Sequence, residues 1–465
     1  MPRTVSALLL ISAFNCSIGF PWPVMAAEDD PVSRLLAERE RYSQQLQVLE
    51  EDLGRFHGSL VEPLVQQARL SMALNDFDQT RSILERAVQI QRINHGLYTA
   101  EQFPLLQLQV ENAVRRGDWV DANATLEHLY WLYVNKHRGM DADLIQELRN
   151  LSGFHLEAVA ADVEERQAYH FRQAAQIGAV TLQVGRHVWG DQDIRLAELY
   201  YDLVKQYYLQ AVAVDRGSRT GYELREVAPG SSWVRSRQTA MRGYYQSGLG
   251  LLQQTRALYR AQQPPDLEGE ALATLYLADW QILFTRDAAA DTYQQAYGEL
   301  VEAGVEPALL TRFFAEPKVL PQPRIYTTVE AALAMQENAE VPATASRESQ
   351  PLAPFHFNEW SRAFPDVQFP FPRGQVRFRD DEAWGSVLLS FSLAGLEKVS
   401  RWINGRYVTR LSVPSTLEVL QQDGAPGEEP ENFAAKLHSL HFRPRLVDGI
   451  PEPARGTLHY LFSTR

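Results

Sequence analysis

The sequence has little of what most catalytic and metal sites require. Cys16 is the only cysteine in 465 residues, so a chain that has lost its amino-terminal segment holds no disulfide, thiol nucleophile, zinc thiolate or iron–sulfur cluster. Neither a Gly-x-x-x-x-Gly-Lys phosphate loop nor a Gly-x-Ser-x-Gly elbow occurs. We therefore expect a protein that is not an enzyme and that binds no cofactor and no metal.

Basic residues are also in deficit. The chain carries 45 Lys and Arg against 58 Asp and Glu, which gives a formal net charge of −13. Proteins that bind nucleic acid need clustered positive charge for the phosphate backbone, so we expect no nucleic-acid partner. Beyond the amino terminus, no apolar run approaches the roughly 20 residues that span a bilayer.

The amino terminus has the pattern of a secretory signal. Arg3 precedes a short apolar run over residues 5–14, Pro21 and Pro23 follow, and small residues before Ala27 suit cleavage. We expect a signal peptide over residues 1–26 and a periplasmic mature protein. Retention of this segment as a membrane anchor is the alternative.

Helical periodicity extends over residues 27–316. Apolar residues recur at spacings of three and four, and two turn signals, Asn75-Asp76-Phe77 and Gly117-Asp118-Trp119, lie about 40 residues apart. A single helix pair cannot bury its own apolar stripe, so such pairs are expected to stack as an α-solenoid. The helices expected around the two turns are 60–74, 79–93, 105–114 and 122–134.

These helix pairs resemble tetratricopeptide repeats in the form with a longer second helix. Phe77 and Trp119 stand at the aromatic position of the turn, and Ala68, Ala87 and Ala122 stand at small-residue contacts between helices. The resemblance covers most of residues 60–300 and implies a groove for a partner protein or peptide. An irregular helical bundle is the alternative.

Two segments lack this periodicity. Residues 215–233 contain Gly217, Gly221 and Gly230, which predicts a loop or insertion. Residues 317–369 are rich in proline and are expected to form a linker. Trp360 and Phe364 are too aromatic for a plain spacer and are candidates for packing on one of the domains.

Residues 370–465 change to a period of two. Apolar residues alternate with serines over 385–393, which predicts a strand with one buried face. A second strand is expected up to residue 403, a helix over 432–440, and a final strand around Tyr460. This order predicts a small α+β domain, so the whole chain is expected to be a multidomain protein, mainly α, with a small carboxy-terminal α+β domain.

This last module resembles the carboxy-terminal domain of TonB-type energy transducers. The matching residues are 385–393, Gly395, Val399, the helix exit 440–444 and residues 447–449. The resemblance implies an envelope location and recognition of a peptide through an exposed sheet edge, with an outer-membrane protein as a candidate partner. Transducers of that family keep an amino-terminal anchor, which a cleaved signal does not leave, so we expect recognition rather than energy transduction.

Two groups of histidines resemble metal or acid–base sites. His438 and His441 are three residues apart on the expected last helix, and His170 follows Glu164 and Glu165. Solvated helix faces explain both groups better, since no nearby carboxylate pair completes a metal site.

Aromatic side chains are the main candidates for contacts with a partner. A helix buries only one stripe, so the run Tyr130, Trp131 and Tyr133 cannot lie wholly in the core. Most of these rings are expected to pack on a neighbouring repeat and the others to line a ligand groove. The candidates are Trp119, Tyr130, Trp131, Tyr133, Tyr201 and Tyr208 in the helical part, and Thr457, His459 and Leu461 in the final strand.

We therefore expect a periplasmic, non-enzymatic interaction scaffold. Its helical repeats would bind one protein or peptide, and its last module would bind an envelope protein. The first alternative is a membrane-anchored, TonB-like energy transducer for outer-membrane transport, which needs residues 1–26 to stay attached. The second is an envelope enzyme with a repeat domain, which needs acids or histidines gathered in a cleft.

Overall fold

A computed structural model of the chain describes residues 31–136, 139–230, 236–285, 288–337, 354–361, 363–368, 384–393, 401–403, 406–408, 414–423 and 436–463. Packed helix pairs occupy residues 32–313, and a small β-containing region follows. The predicted mainly helical architecture is confirmed. The chain divides into two compact units, Met1–Ile90 and Gln91–Arg465.

In the first unit, α1 (Pro31–Leu53) packs on α2 (Val61–Ala73), and α3 (Phe77–His95) begins after a short turn. Thr80, near the start of α3, is fully buried. Its hydroxyl donates a hydrogen bond to the Asp76 carbonyl at 2.8 Å. The polar atom is thus satisfied locally, which removes most of the cost of burying it.

The second unit contains most of the helices. Consecutive helices pack on one another, as in the pairs α4/α5, α6/α7, α7/α8 and α11/α12, and α10 lies against both α8 and α11. The helices are α4 (Phe103–Arg115), α5 (Trp119–Lys136), α6 (Ala142–Ala161), α7 (Glu164–Trp189), α8 (Leu196–Arg216), α9 (Arg219–Glu226), α10 (Arg237–Arg260), α11 (Leu267–Leu283), α12 (Ala289–Glu302), α13 (Pro307–Phe313) and α14 (Val329–Glu337).

The turn inside a helix pair is built in the same way in both predicted copies. Asn75 (φ 58°) and Gly117 (φ 73°) adopt the left-handed conformation that ends a helix. The next residues, Asp76 and Asp118, each donate their backbone N–H to the carbonyl five residues earlier, at 2.8 and 2.9 Å. Their carboxylates accept the N–H three residues later, at 3.4 and 3.1 Å, and so cap the following helix. The pattern read from the sequence is therefore a repeated hydrogen-bonding motif.

The segment 215–233, predicted as a loop, contains the helix α9. Gly217 ends α8 in the left-handed conformation (φ 69°). At Gly221 a Cβ atom would lie 2.1 Å from the Ala213 carbonyl oxygen, so this glycine lets α9 approach the backbone of α8. The glycines that indicated a loop thus form a tight corner between two helices.

Within the described residues, the strands form one five-stranded sheet and three short pairs. The order in the large sheet is β3-β2-β11-β4-β7, with β2 and β11 parallel and the other neighbours antiparallel. The strands are β1 (Lys318–Leu320), β2 (Pro354–Ser361), β3 (Phe364–Gln368), β4 (Trp384–Leu393), β5 (Arg401–Ile403), β6 (Arg406–Val408), β7 (Pro414–Asp423), β8 (His441–Arg443), β9 (Arg445–Val447), β10 (Ile450–Glu452) and β11 (Ala454–Ser463).

One face of this sheet carries an apolar core. The predicted alternation holds on β4, where the residues of this face are buried and the serines between them are half-buried. On β11 every second residue lies on this face, but Thr457, His459 and Leu461 between them are buried as well. Leu437 and Leu440, from the helical turn 436–439 and just beyond it, join the same core. Its buried residues are Val319, Val387, Leu389, Phe391, Leu393, Leu437, Leu440, Phe442, Leu458, Tyr460 and Phe462.

The observed structure differs from the prediction for the second strand and for the linker. Residues 401–403 form β5, which pairs with β6 outside the large sheet, whereas β7, which pairs with β4, was missed. Residues 317–369, expected as a linker, include β1, α14, β2 and β3. The expected helix 432–440 is described only from residue 436, and it ends before His441, which lies in β8.

The aromatic residues of the expected linker pack on the helical array. The Trp360 indole donates its N–H to the Leu156 carbonyl in α6 at 3.1 Å. The Trp360 and Phe364 rings lie 5.7 and 6.0 Å from the Phe171 ring of α7. Arg216, at the end of α8, forms an ion pair with Asp366. These contacts attach β2 and β3 to helices α6–α8. The side chains of Phe355 and Phe357 lie outside the described residues.

Among the described helices, none combines the length and the hydropathy that crossing a bilayer requires. The predicted signal peptide, residues 1–26, and Cys16 within it lie outside the described residues.

Candidate partner-binding surface

The aromatic run on α5 divides between core and surface, as one helix face requires. Tyr133 and the neighbouring Leu132 are buried, and Tyr130 is half-buried. Trp131 is 43% exposed, which is unusual for so large a ring. Trp119, at the start of the same helix, is half-buried and makes an edge contact with the His170 ring at 6.0 Å. Of these four predicted residues, only Trp131 presents a large exposed surface.

Trp131 belongs to a group of three rings, which we call the ring cluster: Tyr98, His128 and Trp131. The Tyr98 and Trp131 centroids are 5.1 Å apart at 64°, the edge-to-face geometry that aromatic pairs prefer. The His128 ring is nearly parallel to that of Trp131, at 6.5 Å, and lies 6.3 Å from Tyr98. His128 and Trp131 are one turn apart on α5, and Tyr98 follows α3, so two chain segments build the cluster.

Apolar side chains extend the exposed surface around the ring cluster. Tyr98 itself is 51% exposed, and Leu97 beside it is also exposed. Val134, one helical turn after Trp131, is exposed as well. Several exposed apolar residues close together in two chain segments suit contact with another molecule better than a single exposed residue does.

The ring cluster has basic neighbours. The Lys136 ammonium lies 6.0 Å from the Trp131 ring centroid, within cation–π range. Burial lowers the pKa of His128, and the positive charge of Arg92 lowers it further. The acid next to the cluster on α5 is Glu127, one helical turn before Trp131, and the Tyr169 hydroxyl donates to it at 2.6 Å.

Tyr201 and Tyr208, also predicted to bind a partner, are buried in α8. Tyr201 donates its hydroxyl to the Gln322 carbonyl at 2.8 Å, and Lys205 donates to the Pro323 carbonyl at 2.9 Å. Tyr208 packs near the Phe284 ring, at 6.4 Å. Tyr201 therefore binds the backbone of the protein's own chain at Gln322.

The same segment contacts α11. The Tyr276 hydroxyl donates to the Arg324 carbonyl at 2.9 Å and accepts the Tyr326 backbone N–H at 3.2 Å. Glu268 accepts the N–H of Val329 at 2.6 Å. Side chains of α8 and α11 thus satisfy the backbone of residues 322–329 in the way that a peptide-binding groove satisfies a ligand. In this structure the proline-rich segment fills that groove.

Beside the groove, four charged side chains form ion pairs with one another. Asp202 accepts Arg149 at 2.9 Å and Lys205 at 3.1 Å, and Arg149 also reaches Glu198 at 3.1 Å. Burial acts to raise the pKa of Asp202, but Lys205 and Arg149 outweigh it and lower that pKa. Burial lowers the pKa of Lys205 despite Asp202. The group has the character of a structural ion-pair network.

His170 differs from its expected position on a solvated helix face. It is fully buried, and its Nε2 lies 2.9 Å from Asp162, not beside Glu164 or Glu165. The Nδ1 atoms of His170 and His155 are 3.0 Å apart. Burial lowers the pKa of both rings, and Asp162 acts in the opposite direction on His170. Neutral His170 therefore donates Nε2–H to Asp162 and accepts at Nδ1 from His155, which joins α6 to α7.

His438 and His441, which were both predicted on the last helix, lie in different elements. His438 is exposed in the helical turn 436–439, whereas His441 lies in β8. Burial lowers the pKa of His441 to about 4. Within the described parts of the chain, no three or more His, Cys, Asp or Glu side chains are arranged to hold a metal ion.

Two depressions occur near these elements. One is a small cavity of about 10 Å³ lined by Ser152, Gly178 and Gln206, which has room for about one water molecule. The other is an open depression of about 450 Å³ beside the loop 189–194. Of its two acidic residues, Asp193 pairs with Arg195 at 2.8 Å and Asp191 lies 3.8 Å from Arg186.

The strand residues predicted to bind a partner lie inside the sheet. Thr457, His459 and Leu461 are buried on β11, which pairs with β2 on one side and β4 on the other. Because β11 is central, its backbone groups are already paired and cannot receive a further strand. The strands at the two ends of the described sheet are β3 and β7.

Comparisons with known proteins leave the family open. No protein-family model and no curated protein sequence matches the chain. A similar solved structure is that of BtubC (BKLC) from P. vanneervenii, which is 15% identical, with a TM-score of 0.35, over 70% of this chain and 98% of that one. A similarity at this level assigns neither a fold family nor a function.

Proposed function

We propose that this chain is a non-enzymatic interaction scaffold whose helical array binds a partner protein through the ring cluster. One observation carries the proposal: Tyr98 and Trp131 are about half exposed and pack edge to face, with centroids 5.1 Å apart. Partly exposed, mutually supported aromatic rings are typical anchors of protein interfaces, since they bury large area at low entropic cost.

The proposal extends to the repeat family. The matching turns at Asn75 and Gly117, with the same hydrogen bonds and left-handed residue, support repeats of the tetratricopeptide type. In such arrays each pair packs on its neighbours and leaves the outer residues of its helices open to partners. The ring cluster joins Tyr98, in the segment before α4, to His128 and Trp131 on α5.

A photo-crosslinking experiment tests the proposal. A benzophenone amino acid replaces Trp131 in one variant and Tyr222 in the control. Tyr222 is a matched position because it is exposed on α9 and has Arg225 4.5 Å from its ring centroid. We expect a specific adduct in cells of the source organism from position 131 only. The identified protein, once purified, should bind the unmodified chain and lose that binding on Trp131→Ala.

The carboxy-terminal region is proposed as a second recognition module in the cell envelope. The strand β7 ends the described sheet opposite the docked β3, which supports pairing with an added strand in the manner expected of a TonB-like domain. The amino-terminal sequence supports export to the periplasm. Fractionation and amino-terminal sequencing of the native protein test the location: mature protein that begins near Ala27 in the periplasmic fraction is expected.

A further inference from the structure

We infer that the ring cluster accepts an acidic peptide segment that carries an aromatic or aliphatic anchor residue. The inference rests on the proposed function and adds the chemistry of the partner. Its basis is that partly exposed aromatic rings lie beside two cations, Lys136 and Arg92.

The apolar part of the site is the first argument. Trp131 and Tyr98 expose about half of their surfaces, and Leu97 and Val134 are exposed beside them. An anchor side chain placed against the two rings would bury area on both sides of the contact. Because His128 lies nearly parallel behind Trp131, at 6.5 Å, the tryptophan is already supported before a partner arrives.

The charge around the rings is the second argument. Lys136 is exposed and lies over the Trp131 ring, and Arg92 is close enough to lower the pKa of His128. Residues 91–100 and 128–140 contain no acid, and Glu127, which borders them one helical turn before Trp131, is engaged by the Tyr169 hydroxyl at 2.6 Å. A carboxylate placed on the side of Lys136 and Arg92 would therefore meet positive charge. Positive charge beside an apolar anchor site favours acidic partners.

The number of charges favours a protein segment over a membrane or a nucleic acid. Recognition of anionic lipid by a basic patch uses about four to eight Lys or Arg, whereas Lys136 and Arg92 are the cations whose positions near the rings are described. A nucleic acid would be repelled by the net charge of −13. An acidic peptide needs only one or two cations and an apolar contact.

Short fluorescent peptides test the inference directly. Three probes share the same Phe and Leu residues, and their remaining positions are filled with Glu, Gln or Lys. Binding to the full chain is measured by fluorescence anisotropy at low and at physiological ionic strength, with vesicles of neutral and of anionic lipid in parallel. We expect the Glu peptide to bind at least about tenfold more tightly than the Lys peptide, with a difference that shrinks as salt increases.

Two substitutions locate the binding. Trp131→Ala should weaken the Glu peptide by more than about tenfold. Lys136→Glu should weaken it by about two- to fivefold and leave the Gln peptide unchanged, since the cation is exposed. The control Arg225→Glu makes the same charge change beside the exposed Tyr222 and should alter neither. Circular dichroism confirms that each variant stays folded.

The outcomes separate the two proposals. Equal or tighter binding of the Gln or Lys peptide, binding of anionic vesicles that depends on Trp131, or no binding of any probe overturns the acidic-peptide inference. If position 131 still gives its specific adduct in the crosslinking experiment, the scaffold function stands while the inference falls. If position 131 gives no adduct beyond that of position 222, the scaffold function itself is wrong.

Discussion

Arg443 of β8 and Asp279 of α11 form a two-point ion pair inside the protein. The guanidinium Nε and a terminal nitrogen lie 2.9 and 2.5 Å from the two carboxylate oxygens. Tyr293 donates its hydroxyl to the same carboxylate at 2.8 Å. Burial acts to lower the pKa of Arg443, and Asp279 more than offsets this, so the pKa is raised and the charge is retained. This pair links the β-containing region to the helical array.

Replacement of Arg443 by Met tests the importance of this link. The substitution leaves Asp279 charged and buried without its partner, so we expect a loss of about 3–5 kcal/mol in the free energy of unfolding. Urea denaturation followed by circular dichroism measures it. The control Arg237→Met breaks an exposed ion pair with Asp215 and should cost less than about 1 kcal/mol. Similar losses for the two variants would contradict the prediction.

Tyr201→Phe tests whether the groove of α8 and α11 holds residues 322–329. The phenylalanine keeps the ring but removes the donor to the buried Gln322 carbonyl, and an unsatisfied buried carbonyl costs about 1–3 kcal/mol. We expect faster amide hydrogen exchange in residues 322–329 and little change in α4 and α5. Tyr222→Phe is the control, because Tyr222 is exposed. Unchanged exchange in Tyr201→Phe would mean that the other contacts suffice to hold the segment.

Turns and strand alternation could be predicted from the sequence because they depend on residues close together in the chain. The turns at Asn75 and Gly117 depend on residues within one helical turn, and the alternation on β4 depends on the pleat of a single strand. The run 130–133 predicted that some rings must leave the core, and Trp131 does so.

Contacts between residues far apart in the chain could not be predicted from the sequence. Asp279 and Arg443 are far apart in the chain, and neither is in a motif that names the other. The central place of β11 depends on a parallel pairing with β2, which lies in a segment that its prolines marked as linker. The sequence did not predict Tyr98 as a binding residue, because a single tyrosine after a helix belongs to no periodic pattern. Only the fold brings it into contact with Trp131.

Stability should decrease in mild acid, and the pair His155 and His170 should contribute to this together with the buried His441. Burial holds both folded-state pKa values below the ordinary 6.5, so the unfolded chain binds more protons and stability is lost as the pH falls below about 6.5. Two charged groups act on His170: Asp162 favours its protonation and Arg166 opposes it. Glu127, also nearby, accepts a hydrogen bond from the Tyr169 hydroxyl at 2.6 Å.

The variant His155→Asn keeps a polar side chain and removes one of the two titrating rings. Urea denaturation at about pH 7.5 and about pH 5 should show a smaller difference between the two pH values for this variant than for the wild type. His438→Asn is the control, because His438 is exposed, and it should behave as the wild type does. An equal pH dependence in all three proteins would assign the acid sensitivity to other groups.

Two glycines on α10 should respond to alanine in opposite directions. Gly248 faces Trp280 of α11, and a Cβ atom there would lie 2.1 Å from the indole ring. That ring is buried, and its N–H donates to the Tyr245 carbonyl at 2.9 Å, so it cannot move aside without breaking a hydrogen bond. Gly250, two residues later on the same helix, has nothing within 4 Å of such a Cβ atom.

Gly248→Ala should therefore lower the free energy of unfolding by about 1–3 kcal/mol through overpacking. Gly250→Ala should raise it by up to about 1 kcal/mol, because alanine favours the helix over glycine. The helices pack closely at Gly248, whereas the space beside Gly250 is open. Since the two variants share a helix and a chemical change, a gain in stability in both would show that helix propensity, and not the contact with Trp280, decides the outcome, and a loss in both would contradict the prediction for Gly250.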